Sequence, residues 1–334
     1  EIINILEKNG TINNKGIKTS SLWKTIQSVG LYIPGGKAVY PSSLIMNVIP
    51  AKVAGVKRIV VVTPSKSNTI NPYILALLDE LNISEIYQVG GAHAIAALAY
   101  GTKNIKPVDK IFGPGNAYVA SAKKQVFGKV GIDLIAGPSE ILVVADHQNN
   151  PEWVASDLIA QAEHDERAQS ILITNDREFS LKVLSFLDTL INQLSTKSVI
   201  RKSLDNYGIV IIDNDFSNTN KIIDFVAPEH LHLQNKTRNE ILKKVNNAGG
   251  IFIGEYSSEA FGDYIVGTNH ILPTSGSSRY SSGLGVLDFM KRSSLVEVDL
   301  DGFNENQENV IKMAEVEKLD GHKLSIKIRQ KLDK

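Results

Sequence analysis

Cysteine is absent from all 334 residues, which excludes disulfides, thiolate zinc sites and any thiol nucleophile. Nothing therefore calls for an oxidising compartment, and a reducing cytoplasm is the expected home. An excess of one charge is also missing: 36 basic residues balance 36 acidic ones, for a formal net charge of +0. Without an electrostatic footprint, neither nucleic acid nor an anionic membrane is an expected partner, and a small molecule or another subunit is. Aromatic residues make up only 7% of a chain that is 43% hydrophobic, a balance that fits a helix-rich α/β protein. No apolar run approaches the roughly 18 residues of a membrane span. The opening E-I-I-N-I-L-E-K-N-G shows neither a signal-peptide pattern nor a starting Met, and reads as a fragment of a longer chain. The familiar nucleotide motifs are missing too. There is no G-x-x-x-x-G-K-[ST], and neither V-G-G-A-H-A from Val89 nor G-P-G-N-A-Y from Gly113 completes G-x-G-x-x-G.

What the chain does contain is a steady alternation of strand-type and helix-period segments. R-I-V-V-V-T-P, E-I-Y-Q-V, V-D-K-I-F and E-I-L-V-V-A-D read as buried strands, separated by helical stretches such as G-A-H-A-I-A-A-L-A-Y-G. The rhythm resumes with the helix W-V-A-S-D-L-I-A-Q-A-E-H, the strand S-I-L-I-T, a long amphipathic helix and the strand G-I-V-I-I-D. Such alternation predicts βαβ units on parallel sheets. The expected fold is α/β, with two Rossmann-like lobes and a helical C-terminal tail. The expected division is 30–138 in one lobe, 1–29 with 139–284 in the other, and 285–334 as the tail, with a boundary near the A-G-P-S-E turn from Ala136 to Glu140. Glycines fall at expected strand-to-helix junctions: Gly35 and Gly36, Gly90 and Gly91, Gly113 and Gly115. Each could simply permit a tight turn, but together they suggest a ligand cleft at the carboxyl ends of strands.

Polar residues interrupt this apolar pattern at a few places. Gln161 and His164 stand three apart on a predicted helix, either as one functional face or as surface residues. Asp263 and His270 flank glycines in G-D-Y-I-V-G-T-N-H-I-L-P-T, while Glu317 and His322 lie in E-K-L-D-G-H. Asp263 could equally cap a helix, and His270 could be a satisfied loop histidine. Jointly these side chains offer N and O ligands suited to an open zinc site rather than a structural one. In F-V-A-P-E-H-L-H-L, Pro228 should end a helix, bias Ala227 towards extended geometry and hand Glu229 and His230 to a strand entrance. There both can reach one cleft, although a capping Glu and an exposed His explain the same letters.

Taken together, G-L-Y-I-P-G-G, V-G-G-A-H-A-I-A-A-L-A-Y-G-T, D-K-I-F-G-P-G-N-A-Y-V, A-G-P-S-E-I-L-V-V-A-D, S-D-L-I-A-Q-A-E-H, A-P-E-H-L, G-D-Y-I-V-G-T-N-H-I-L-P-T and E-K-L-D-G-H closely resemble the histidinol dehydrogenase family. The resemblance implies oxidation of L-histidinol through the aldehyde to L-histidine, the last steps of histidine biosynthesis, with two NAD per turnover. It implies one zinc per subunit, held by Gln161, His164, Asp263 and His322, and catalysis by His230 as base and Glu229 as activator of water. Substrate contacts are then expected from Ser139, His270 and Glu317 besides the zinc ligands and Glu229. Cofactor contacts are expected from Tyr32, His93 and Asn116 in the first lobe. The family further implies a homodimer in which the tail of one subunit completes the other's site, and a longer N-terminal portion. His93 departs from the Gln common in the family, and because imidazole changes charge near neutrality, cofactor affinity should vary with pH. The missing thiol fits this chemistry, since no thiohemiacetal can form and a carboxylate-activated water must attack the aldehyde instead. A paralogous zinc and NAD dehydrogenase of another polar alcohol, or a two-lobed small-molecule binding protein, are the alternatives.

Overall fold

The computed structural model describes residues 12–35, 40–65 and 69–330, so that Gly36 lies outside the described residues. The chain divides into two compact units, Ile26–Phe289 and a smaller one that joins Glu1–Thr25 to Met290–Lys334. In the smaller unit β1 (Ile12–Asn14) and β2 (Ile17–Thr25) form an antiparallel hairpin. Its two-residue turn is Lys15-Gly16, with φ of 45° and 77°; positive φ at both positions matches the twist of the flanking strands.

The larger unit carries two parallel sheets in succession. The first contains β3 (Ser28–Tyr32), β4 (Arg58–Val62), β5 (Glu85–Tyr87), β6 (Lys110–Phe112) and β7 (Gly131–Ile132) in the order β5-β4-β3-β6-β7. Its connecting helices are α1 (Pro41–Val53), α2 (Pro72–Glu80), α3 (Gly91–Tyr100) and α4 (Ala117–Val126). Val60, Val61 and Val62 are all fully buried, as a strand covered on both faces requires, so its letters run continuously apolar rather than alternating. The second sheet holds β8 (Glu140–Val144), β9 (Gln169–Thr174), β10 (Ile209–Ile212), β11 (His230–Leu233) and β12 (Gly250–Ile253) in the order β10-β9-β8-β11-β12. With it come α5 (Pro151–Ala162), α6 (Arg177–Ile191), α7 (Lys197–Tyr207), α8 (Thr219–Val226), α9 (Arg238–Leu242) and α10 (Glu259–Tyr264). One of its faces packs Ile141, Val143 and Leu172 on Phe179 and Val183, and the other packs Leu142, Val144, Ile173 and Leu231 on Ile223 and Ile241. In both sheets the strand order reverses beside the first strand, between β3 and β6 and between β8 and β11, which is where open α/β sheets leave a crevice.

Helix starts follow the sequence closely. Asn71, Asn116, Asn150 and Asp176 each accept backbone N–H groups at an N-cap, and Pro72 and Pro151 occupy the position after it. The turn before Glu229 differs from expectation. Ala227 adopts the left-handed conformation, φ 51° and ψ 59°, rather than an extended one, because its N–H closes α8 on the Ile223 carbonyl before Pro228 ends the helix.

The chain division also differs from the expected one. Residues 12–25 pair with β13 (Met290–Val298), antiparallel along the length of β2, instead of joining the second sheet. The segment 285–334 is therefore not wholly helical: β13 precedes α11 (Leu300–Val316) and α12 (Asp320–Arg329). The alternation in S-S-L-V-E-V is a strand period whose partner lies far away in sequence. No helix among the described residues is long and apolar enough to cross a membrane.

Candidate active site

A cavity of about 670 Å³ opens in the larger unit. Pro34, after β3, and Pro114 to Asn116, after β6, line one side, so the first sheet meets it at the carboxyl ends of its strands. The second sheet meets it the other way round. Ser139, Glu229 and His230 line the cavity and stand at the amino ends of β8 and β11. The cleft rule predicts only the first of these two contributions.

Glu229 and His230 are both buried, at 6% exposure each. Parallel pairing of β8 with β11 sets His230 opposite Ile141, which brings Glu229 beside Glu140. The two glutamates then exchange bonds: Glu140 N donates to Glu229 Oε2 at 3.0 Å, and Glu229 N donates to Glu140 Oε2 at 3.3 Å. Ser275 N donates to the other Glu140 oxygen at 3.0 Å. The Glu140 carbonyl lies 3.1 Å from His230 Nδ1. A carbonyl can only accept, so Nδ1 carries the proton and Nε2 is left as a free lone pair. Burial pushes the His230 imidazolium down to about 4, against the pull of the Asp263 carboxylate, so the ring is a neutral base. Burial also raises the Glu229 and Glu259 carboxyls well above the ordinary carboxylate range, with Asp263 and neighbouring carboxylates adding to the effect, and raises Glu140 in the same direction.

Gln161, 1% exposed, lies in the last turn of α5. Its side-chain amide faces Glu259 Oε2 and the Glu140 carbonyl; assigned with the nitrogen on that side, as two acceptors require, it donates to both at 3.1 Å and lies 3.0 Å from His230 Nδ1. His164 was expected on the same helix, but α5 is capped at Glu163 and His164 sits in the turn beyond, exposed, its N–H on the Gln161 carbonyl at 3.2 Å. Both still reach the cavity wall, as do Asp263 in α10 and His270. His270 Nδ1 is 3.1 Å from the Asp263 carbonyl, and its Nε2 is 3.5 Å from Ser43 Oγ. Of the expected cofactor residues, Asn116 lines the cavity while capping α4 through Tyr118 N and Val119 N. Tyr32 is buried, its hydroxyl accepting from Gly91 N at 3.2 Å, and His93 is exposed in the first turn of α3. Glu317 and His322 belong to the smaller unit, where both are exposed on α11 and α12 or between them. Sequence reasoning overlooked Glu140 and Glu259. Glu259 could have been found four residues before Asp263, on the same helical face.

Comparison with known proteins decides the family. The family model described as histidinol dehydrogenase matches residues 4–330. The chain belongs to the histidinol dehydrogenase family. It is 51% identical over 315 residues to the histidinol dehydrogenase of Rhodospirillum rubrum, covering 94% of this chain and 73% of that one. It is 48% identical over 320 residues to histidinol dehydrogenase 1 of Nostoc, covering 96% and 74%. The crystal structure of the histidinol dehydrogenase of Elizabethkingia anophelis superposes with a TM-score of 0.93 at 38% identity, covering 100% of this chain and 78% of that one. A pyrroline-5-carboxylate dehydrogenase from Mycobacterium tuberculosis shares the fold alone, at a TM-score of 0.55 and 13% identity over 88% of this chain and 68% of that one.

Histidinol dehydrogenase motifs imply a zinc ion, and the donor set can be tested against the cavity. Among the described residues no three His, Asp or Glu side chains are grouped to hold a metal. The set implied here is mixed: the Gln161 amide, the His164 imidazole and the Asp263 carboxylate share the cavity. With its nitrogen committed to Glu259 and the Glu140 carbonyl, Gln161 holds its oxygen on the opposite side of the amide. An N and O set without thiolate fits a zinc centre that keeps positions open for substrate.

Proposed function

We propose that this chain is a zinc-dependent histidinol dehydrogenase that oxidises L-histidinol through L-histidinal to L-histidine with two NAD per turnover. The observation that carries this reading is the pairing of a neutral, tautomer-fixed His230 with a buried Glu229 on one cavity, in a histidinol dehydrogenase family chain that has no cysteine. In the first oxidation His230 Nε2 takes the hydroxyl proton as a hydride leaves the carbinol carbon for the nicotinamide. In the second, Glu229 takes a proton from water as its oxygen attacks the aldehyde carbon, and the protonated His230 returns its proton to the aldehyde oxygen, giving the hydrate and a neutral imidazole. The hydrate then loses its hydroxyl proton to His230 and its hydride to the second nicotinamide. Burial makes Glu229 a stronger base when ionised.

Gln161, His164 and Asp263 would hold the zinc, with His322 from the tail of a second subunit completing the set. When bound, the ion serves as a template that orients the substrate's imidazole and amine. Ser139, His270 and Glu317 would contact the substrate, and a cationic amine suits a cavity bordered by the Glu229, Glu259 and Asp263 carboxyls. Tyr32, His93 and Asn116 would face the cofactor, and a homodimer in the cytoplasm belongs to the same reading. The test is zinc content by elemental analysis together with NADH formed per histidinol consumed. Two NADH with zinc bound supports the reading; turnover of other alcohols only, or none, overturns it.

A further inference from the structure

Two supports deliver the proposed donors. α5 presents Gln161 in its last turn with His164 just beyond, and α10 presents Glu259 and Asp263 four residues apart on one face. α10 is seated tightly on β12. A Cβ at Gly262 would lie 2.6 Å from Phe252 Cζ, so a larger residue there would have to displace the Phe252 ring. Glu259 is 3% exposed, and its Oε2 stands 3.1 Å from the Gln161 amide nitrogen. An amide cannot choose its own orientation, because oxygen and nitrogen occupy nearly the same shape; acceptors on one side must choose for it. Here the acceptors are the Glu140 carbonyl and the Glu259 carboxyl oxygen.

We propose that Glu259 is a positioning residue: by accepting the Gln161 amide N–H it turns the Gln161 oxygen into the cavity as a zinc donor and ties α5 to α10. This rests on the reading of Gln161 as a zinc donor given above. Its effect on the ion is exerted through Gln161. Oriented outer partners of this kind typically change metal affinity roughly 10- to 100-fold when removed.

The test measures zinc affinity of the chelator-stripped full chain by competition with a chromophoric chelator. Glu259→Ala should weaken zinc by about 10- to 100-fold, whereas Glu259→Gln, which keeps an oxygen acceptor, should stay close to the starting protein. In a Gln161→Ala background, adding Glu259→Ala should change affinity little further, because the group it orients is gone. If Glu259→Ala does not fold, as judged by its unfolding transition, Glu259→Leu fills the space without an acceptor and carries the same expectation. Unchanged affinity in the single variant, or an equal loss with and without Gln161, overturns the proposal while leaving the zinc reading intact. Failure of the unsubstituted protein to take up zinc overturns the zinc reading and this proposal with it.

Discussion

At the scale of single residues, the short stretch Ala227 to Leu231 concentrates most of the proposed chemistry. Glu229→Gln should slow the aldehyde-to-acid half by about 10²- to 10⁴-fold, the range for a removed general base, and leave alcohol oxidation largely intact. His230→Gln should slow both halves by a similar factor. Separate assays with histidinol and with histidinal check this, and equal loss of both halves in Glu229→Gln refutes the division of labour. The letters A-P-E-H already placed an acid and an imidazole at a strand entrance. They did not show Glu140, whose carbonyl fixes the tautomer of His230, because that contact exists only once β8 and β11 pair across some 90 residues.

Among elements, the turn at Gly113 that leads into the cavity wall of Pro114 to Asn116 is held by a buried ion pair. Lys123 in α4 and Asp133 after β7 are each 2% exposed, and both brace Gly113: Lys123 Nζ donates to its carbonyl at 3.0 Å and Asp133 accepts its N–H at 2.7 Å. Gly113 itself has φ 105°, and a Cβ there would lie 2.1 Å from the Tyr32 carbonyl oxygen. Lys123→Met leaves the aspartate buried and unpaired, and should cost about 3–5 kcal/mol in a denaturant titration; Lys123→Met with Asp133→Leu should recover most of it. A second pair behaves differently. Arg58 grips Glu85 with two bonds, 2.8 and 2.7 Å, near the surface, and so holds its carboxyl below the usual 4.5. A carboxyl depressed in the fold contributes stability above its unfolded value and loses it as pH falls through the folded one. Melting temperature should therefore fall less steeply below about pH 4.5 in Glu85→Gln than in the unsubstituted chain, by an amount reduced by solvent screening. Helices such as α2 and α5 were legible because their apolar period is local. The end of α5 was not, since a helix fading at Glu163 differs little in letters from one that continues to His164.

For the whole molecule, the proposed tail exchange makes a sharp forecast. A dimer mixed from His322→Ala chains and Glu229→Gln chains should regain conversion of histidinal to histidine, because one of its two sites would combine an intact body with an intact tail; a mixture as slow in that half as its parents refutes the exchange. The α/β character was plain from strands and helices whose periods are local. Unlike them, β13 escaped notice because its partner, β2, is separated from it by the entire larger unit, and only pairing makes an exposed strand a strand. The same long-range pairing that unites Glu140 with Glu229 has a consequence for descent. Each carboxylate caps the other strand's amide, so a lineage that altered either one alone would strand a buried partner before gaining anything new. A replacement that keeps an acceptor oxygen is tolerated most readily, and the pair should change more slowly than the surrounding loops.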